Sequence, residues 1–138
     1  MTKFVVDASA VLQLASEAVG VSPEHQLLAP TLLRSQVLSL LHEAVERGEL
    51  DAGAAREQLA RIGRMPIRLL GDAVLRRRAW EVADNLGWAE TYDAEYVALT
   101  HLQGDALVTL DAKLARSVEG VVRTASIDEL RAHLDQRL

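Results

Sequence analysis

Short apolar runs recur along this chain, and a helical stretch follows almost every one. That alternation limits the possible folds more than any other feature. Lys3-Phe4-Val5-Val6-Asp7 is β-branched and aromatic with no polar alternation, the pattern of a parallel strand buried on both faces. Ala8 to about Ala18 is Ala- and Leu-rich and reads as a helix. Gln26 to Ala29 is a second strand-like run, closed by Pro30, and Thr31 is expected to cap a long helix from about Leu32 to Arg47, stopped by Gly48. Within it Leu33, Val37, Leu40, Leu41 and Ala44 recur at three- and four-residue spacing, which predicts one buried stripe.

The same alternation continues to the end. Asp51 opens a helix that ends near Gly63, and Pro66 to Leu70 reads as a third strand with its proline at the start. Asp72 caps a helix over Ala73 to Leu86, which Gly87 closes. Thr91 to Leu102 is helical, Asp105 to Leu110 a fourth strand, Asp111 to Val118 a short helix, and Val121 to Thr124 a fifth strand. Ser126-Ile127-Asp128-Glu129 is a capping box that opens a last helix. Strands and helices in this order predict an α/β fold: a three-layer α/β/α sandwich around a five-stranded, mostly parallel sheet. Its 138 residues suit one domain over positions 1–138, large enough to bury its own core.

Composition removes several chemistries. The chain has no cysteine, so disulfides, thiolate metal sites and cysteine nucleophiles are excluded. No apolar run approaches membrane-spanning length, and the N-terminal stretch lacks the pattern of a secretory leader. The expected compartment is the cytoplasm. The net charge of −5 argues against a general nucleic-acid coat. It leaves room for a nuclease, because a metal ion can supply positive charge at the one point where it is needed.

Three aspartates occupy equivalent places. Asp7 follows the first strand, Asp111 follows the fourth, and Asp93 lies in the first turn of the helix before that strand. Each has a plain structural use as a helix cap or as a carboxylate at a helix N-terminus. Parallel strands, however, end on one edge of the sheet, where sites of such folds form. Two carboxylates at 4 Å repel by about 4 kcal/mol at an effective dielectric near 20. Such a cluster needs a proton, a basic partner or a divalent cation. No Lys or Arg adjoins Asp7 or Asp93 in sequence, and hard oxygen ligands suit Mg2+ or Mn2+.

The blocks around these residues resemble a known family. Val5-Val6-Asp7-Ala8-Ser9-Ala10, Thr91-Tyr92-Asp93-Ala94-Glu95-Tyr96-Val97-Ala98-Leu99 and Leu107-Val108-Thr109-Leu110-Asp111-Ala112-Lys113-Leu114-Ala115 are similar to PIN-domain proteins, above all to VapC-type toxins of toxin–antitoxin pairs. The resemblance covers nearly the whole chain. It implies a parallel sheet ordered 3-2-1-4-5, which makes the first and fourth strands neighbours. It also implies a metal-dependent ribonuclease toxin acting on RNA, with tRNA or rRNA as possible targets. A cognate VapB-type antitoxin as inhibitor and a homodimer belong to the same expectation.

One position departs from the family. A glutamate is usual about six residues after the proline that closes the second strand; here that residue is Gln36. Gln keeps the shape of Glu without its charge, and its carbonyl oxygen can still meet a cation. The expected site carries three formal negative charges instead of four, so cation binding is expected to weaken. A natural altered member and a deliberately disarmed toxin would both read this way. Glu43, two helical turns on and about 10 Å away by helical rise, is too distant to replace the missing ligand.

The site expected from the sequence therefore has Asp7, Asp93 and Asp111 as catalytic and metal-ligating acids with Gln36 at the rim. The ion would activate water and neutralise phosphoryl charge, with Ser9 and Thr109 as supporting hydroxyls. Arg34, Lys113 and Arg116 are the candidates for RNA phosphate contacts. Glu90 and Glu95 read as solvated surface, Asp105 as the far end of its strand, and Arg76-Arg77-Arg78 as a solvated helix face. His25, His42, His101 and His133 lack ligand spacing. The competing expectation is a PIN-fold protein that binds antitoxin, and RNA as well, but cuts poorly because of Gln36. Phosphotransfer receivers and haloacid-dehalogenase-type phosphatases fit worse: the first strand offers a lone Asp7, and Ser9 stands where the phosphatases want a second Asp.

Overall fold

The computed structural model describes residues 1–18 and 20–131. Five strands, β1 (Thr2–Val6), β2 (His25–Pro30), β3 (Ile67–Leu70), β4 (Ala106–Val108) and β5 (Thr124–Ala125), form one sheet in the order β3-β2-β1-β4-β5, and every pairing is parallel. This is the order that the family resemblance implied. Six helices connect the strands: α1 (Ala8–Glu17), α2 (Leu32–Glu46), α3 (Ala52–Arg64), α4 (Ala73–Leu86), α5 (Tyr92–Gln103) and α6 (Ala112–Ser117). No helix among the described residues is long and apolar enough to cross a membrane.

The strand order fixes where a site forms. From β1 the chain steps outward to β2 and β3, then returns to place β4 on the other side of β1. Right-handed crossovers put connections of opposite direction on opposite faces, so strand order reverses at the β1–β4 seam. The inner strands read as apolar runs because both faces are covered. Phe4, Val5, Val6, Leu27, Leu28, Leu107 and Val108 are all buried. Helix α5 packs on β1, β2 and β4 and lies under α4. It is apolar on nearly every side, with Ala94 and Tyr96 through Thr100 buried.

Local chemistry sets most boundaries. Asp51 and Asp72 cap α3 and α4 by accepting the N–H of Ala54 and Leu75 at 2.8 and 2.9 Å. Gly87 closes α4 at φ 70°, where a side chain would be strained.

The structure corrects five expectations. Thr31 does not cap α2 with its side chain; its backbone is already helical, and its N–H extends the β2–β3 ladder to Leu70 O at 3.0 Å. The buried stripe of α2 is the single row Leu33, Val37 and Leu41, while Leu40 is exposed. β4 ends at Val108 because the next backbone donors turn to hydroxyls: Leu110 N–H to Ser9 Oγ at 2.9 Å and Asp111 N–H to Thr109 Oγ1 at 3.1 Å. β5 begins at Thr124, three residues later than expected. The N–H groups of Val121 and Val122 are used by the turn after α6, both donating to Val118 O. The capping box at Ser126 is present, but it opens a single 3-10 turn (Ile127–Leu130). The rest of the expected last helix, with His133, lies outside the described residues.

Candidate active site

Asp7 is the first residue beyond β1, and its N–H still donates across the seam to Val108 O at 3.2 Å. The side chain is buried. Its Oδ1 accepts from Ser9 Oγ at 2.6 Å and from Ala10 N–H at 3.0 Å, so the residue caps α1. Asp111 caps α6 in the same way, with Oδ1 accepting from the N–H groups of Lys113 and Leu114 at 2.9 and 3.2 Å. Capping and site chemistry are therefore compatible in one side chain. Each acid commits Oδ1 to a helix, and Oδ2 makes no hydrogen bond among the described residues.

Asp93 differs. Thr91 is the N-cap of α5, without a side-chain capping bond, and Asp93 stands inside the first turn. Its carboxyl is held above the ordinary carboxylate range. Partial burial is the main cause, followed by the negative charges of Asp111, Asp7 and Glu90. The two strand-end acids thus act on Asp93 electrostatically, as their position at the switch point requires. None of the ion pairs among the described residues involves Asp7, Asp93 or Asp111, so their charge lacks a basic partner.

A cleft of about 610 Å³ opens beside these acids. It is lined by Asp93, Asp111, Gln36, Glu90, Lys113 and Trp88, among others. Gln36 reaches it from α2, and its Oε1 accepts the Tyr96 hydroxyl at 2.5 Å. Tyr96 itself is buried. Burial, ahead of the charges of Asp7, Glu95 and Asp93, holds its phenol far above the usual value, so it stays a hydrogen-bond donor.

The donor set suits a hard divalent cation in kind: carboxylate oxygens, uncompensated charge and no thiolate. Yet among the described residues no three His, Asp or Glu side chains form a group arranged to hold a metal ion. The structure supplies the chemistry of such a site without a closed ligand cage.

The chain was also compared with known proteins. No family model matches it. A VapC ribonuclease of Mycobacterium bovis (Mb0985) and ribonuclease VapC9 of Mycobacterium tuberculosis are each 34% identical to it over 114 residues, 80% of this chain and 87% of theirs. The chain belongs to the VapC family of PIN-domain proteins. The crystal structure of PAE2754 from Pyrobaculum aerophilum superposes with a TM-score of 0.71 at 25% identity, over 92% of this chain and 90% of that one. Family membership and strand order thus agree.

The remaining expected residues divide. Ser9 and Thr109 stand at the seam, with their hydroxyl oxygens 3.5 Å apart. Lys113 borders the acidic cleft. Arg34 instead lines a separate apolar groove of about 430 Å³ with Leu33, Val37, Leu38, Leu59 and Ile62. Arg116 is exposed on α6 and lines neither.

Two residues carry more than the sequence reading gave them. Glu90 borders the cleft and adds to the charge on Asp93. Tyr96, three residues after Asp93 on α5, holds Gln36; that one-turn spacing was the available signal. Glu95 is half-buried, and burial raises its pKa while Arg76 opposes the shift. Arg78 pairs with Glu81 at 3.5 Å, as expected of a solvated face. His25 packs edge-on against Phe4, and His101 Nε2 meets Val121 O at 3.0 Å. Asp105 accepts Lys3 N–H at 2.8 Å, at the far end of the strands.

Proposed function

We propose that the chain is a cytoplasmic, metal-dependent endoribonuclease toxin that hydrolyses RNA phosphodiesters and is restrained by a VapB-type antitoxin. The observation that carries this reading is the uncompensated charge of Asp7, Asp93 and Asp111 at the β1–β4 switch point. It occurs in a chain 34% identical to proteins named as VapC ribonucleases. The three aspartates would hold Mg2+ or Mn2+, which when bound makes a water more acidic and neutralises charge on the phosphoryl group.

The chain's own residues have separable tasks. Asp7 and Asp111 are fixed by their Oδ1 capping bonds, so each Oδ2 has a defined position. Asp93, which holds its proton more tightly than an ordinary carboxyl, is suited to orient the attacking water and take its proton. Lys113 offers an ammonium to RNA phosphate at the mouth of the cleft. Leaving Gln36 uncharged lowers the charge available to a cation, so Gln36→Glu should saturate with manganese at a lower concentration.

The apolar groove between α2, α3 and β3, with Leu38 exposed beside it, suits an amphipathic antitoxin segment. A crosslink map of the toxin–antitoxin complex with no contacts near Leu38 and Leu59 would remove that assignment.

The test is direct. Purified, antitoxin-free protein is incubated with total RNA, with manganese or with excess chelator. Cleavage that needs the metal and is lost in Asp93→Asn supports the reading. Cleavage that persists in chelator refutes the metal mechanism, and absence of cleavage by both the wild type and Gln36→Glu refutes the nuclease.

A further inference from the structure

The carbonyl oxygen of Gln36 already has a partner. Its separation of 2.5 Å from the Tyr96 oxygen fits an O–H···O bond and is shorter than the usual N–H···O range of about 2.7–3.2 Å. That separation favours the orientation in which Oε1 faces Tyr96 and Nε2 is the other end. Tyr96 is buried and set on the rigid, buried helix α5, so the clamp has little freedom. Nε2 makes no hydrogen bond among the described residues, nor is it a buried atom lacking a partner. It therefore remains open to solvent on a side chain that lines the acidic cleft. An amide nitrogen has two N–H donors and no acceptor capacity, so it cannot ligate a cation. It can donate to an anionic oxygen, and Lys113 borders the same cleft with a positive charge.

We propose that Gln36, its carbonyl held by Tyr96, turns its amide N–H into the cleft and binds a phosphate oxygen of the RNA. Position 36 would then read the substrate and not the metal, with Tyr96 as the positioning residue. This rests on the ribonuclease reading above, and the test separates the two.

The probe is a short, fluorescein-labelled single-stranded RNA, whose binding is measured in excess chelator, where no cleavage competes. Manganese half-saturation of cleavage is measured in parallel. Gln36→Met keeps the length of the side chain and lacks the donor. It should weaken RNA binding at least about tenfold, as expected for a hydrogen bond to a charged group, and leave manganese half-saturation unchanged. Tyr96→Phe frees the amide to turn and should weaken binding about two- to threefold. Unchanged RNA affinity in Gln36→Met would overturn the inference, and a shift in its manganese half-saturation alone would overturn it and make position 36 a cation contact. Cleavage without measurable RNA binding in chelator would overturn it too, leaving the nuclease intact. Binding that depends on Gln36 with no cleavage in manganese would support it and remove the nuclease instead.

Discussion

Ser9 Oγ donates to Asp7 Oδ1 at 2.6 Å and accepts Leu110 N–H at 2.9 Å from the loop that carries Asp111. One side chain therefore ties the acid beyond β1 to the segment beyond β4. Ser9→Ala should leave Leu110 N–H without its partner and cost about 1 kcal/mol of stability. Its larger effect should be on metal use: half-saturation by manganese should rise about tenfold, the scale of losing a hydrogen bond that orients a ligand. Ser9→Thr keeps the hydroxyl and should restore most of it. Equal losses in Ser9→Ala and Ser9→Thr would reduce the residue to packing.

Asp93 gives a prediction on stability with a definite sign. Its folded-state pKa lies above the ordinary carboxylate value, so the folded chain binds that proton more tightly than the unfolded chain. The resulting stabilisation is complete below the ordinary carboxylate pKa and is lost as pH rises through the raised one. In metal-free protein at neutral pH, Asp93→Asn should therefore melt higher than the wild type. The residue is only partly buried and keeps substantial solvent exposure, which limits the gain to roughly 1–3 °C. The difference should shrink as pH falls below the ordinary carboxylate range, where the wild-type carboxyl is protonated in both the folded and the unfolded chain, and in high salt. The same variant should lose RNA cleavage. A lower melting temperature at pH 7 would contradict the like-charge account.

How much of this was legible in the sequence follows from physical range. Strand-helix alternation is a local property, and it gave the parallel sheet and the helix starts at Asp51 and Asp72. The seam between β1 and β4 came from family resemblance, because which strands become neighbours is decided by long-range packing that periodicity does not record. The two misplaced strand ends share one cause. β4 stops early and β5 starts late because single N–H groups, Leu110 and Val121 among them, find partners distant or turned away from the ladder. The Tyr96–Gln36 bond joins residues 60 positions apart. Tyr96 alone reads as helix filler and Gln36 stood out only against the family pattern, so their pairing appears only in the fold.

Gly104 is required by space. Its φ of −95° is open to any residue, but a Cβ there would sit 2.8 Å from Val5 Cγ2 and 3.2 Å from Thr100 Cα. Val5 is fully buried in β1 and cannot withdraw. Gly104→Ala should cost about 1–3 kcal/mol through overpacking. Gly63, on the exposed side of α3 with nothing within 4 Å of its Cβ position, is the control. Gly63→Ala should stabilise by about 0.4–1 kcal/mol. Denaturant melts of the two variants should move in opposite directions, and a stabilising Gly104→Ala would mean that the seam is looser than described.

Arg34 and Lys113 separate the two surfaces of the molecule. Both are cations near the expected RNA path in sequence terms, yet Lys113 borders the acidic cleft while Arg34 lines the apolar groove beside α3. Lys113→Ala should raise KM for RNA severalfold and reduce the salt dependence of binding by the equivalent of about one phosphate contact. It should barely change affinity for antitoxin peptides that fill the groove. Arg34→Ala should do the reverse, with near-normal cleavage and weaker antitoxin binding. The measurement is a pair of titrations for each variant, RNA at several salt concentrations and antitoxin at one. If Arg34→Ala impairs cleavage as much as Lys113→Ala, RNA runs over the groove as well, and the division of the surface into substrate and inhibitor faces fails.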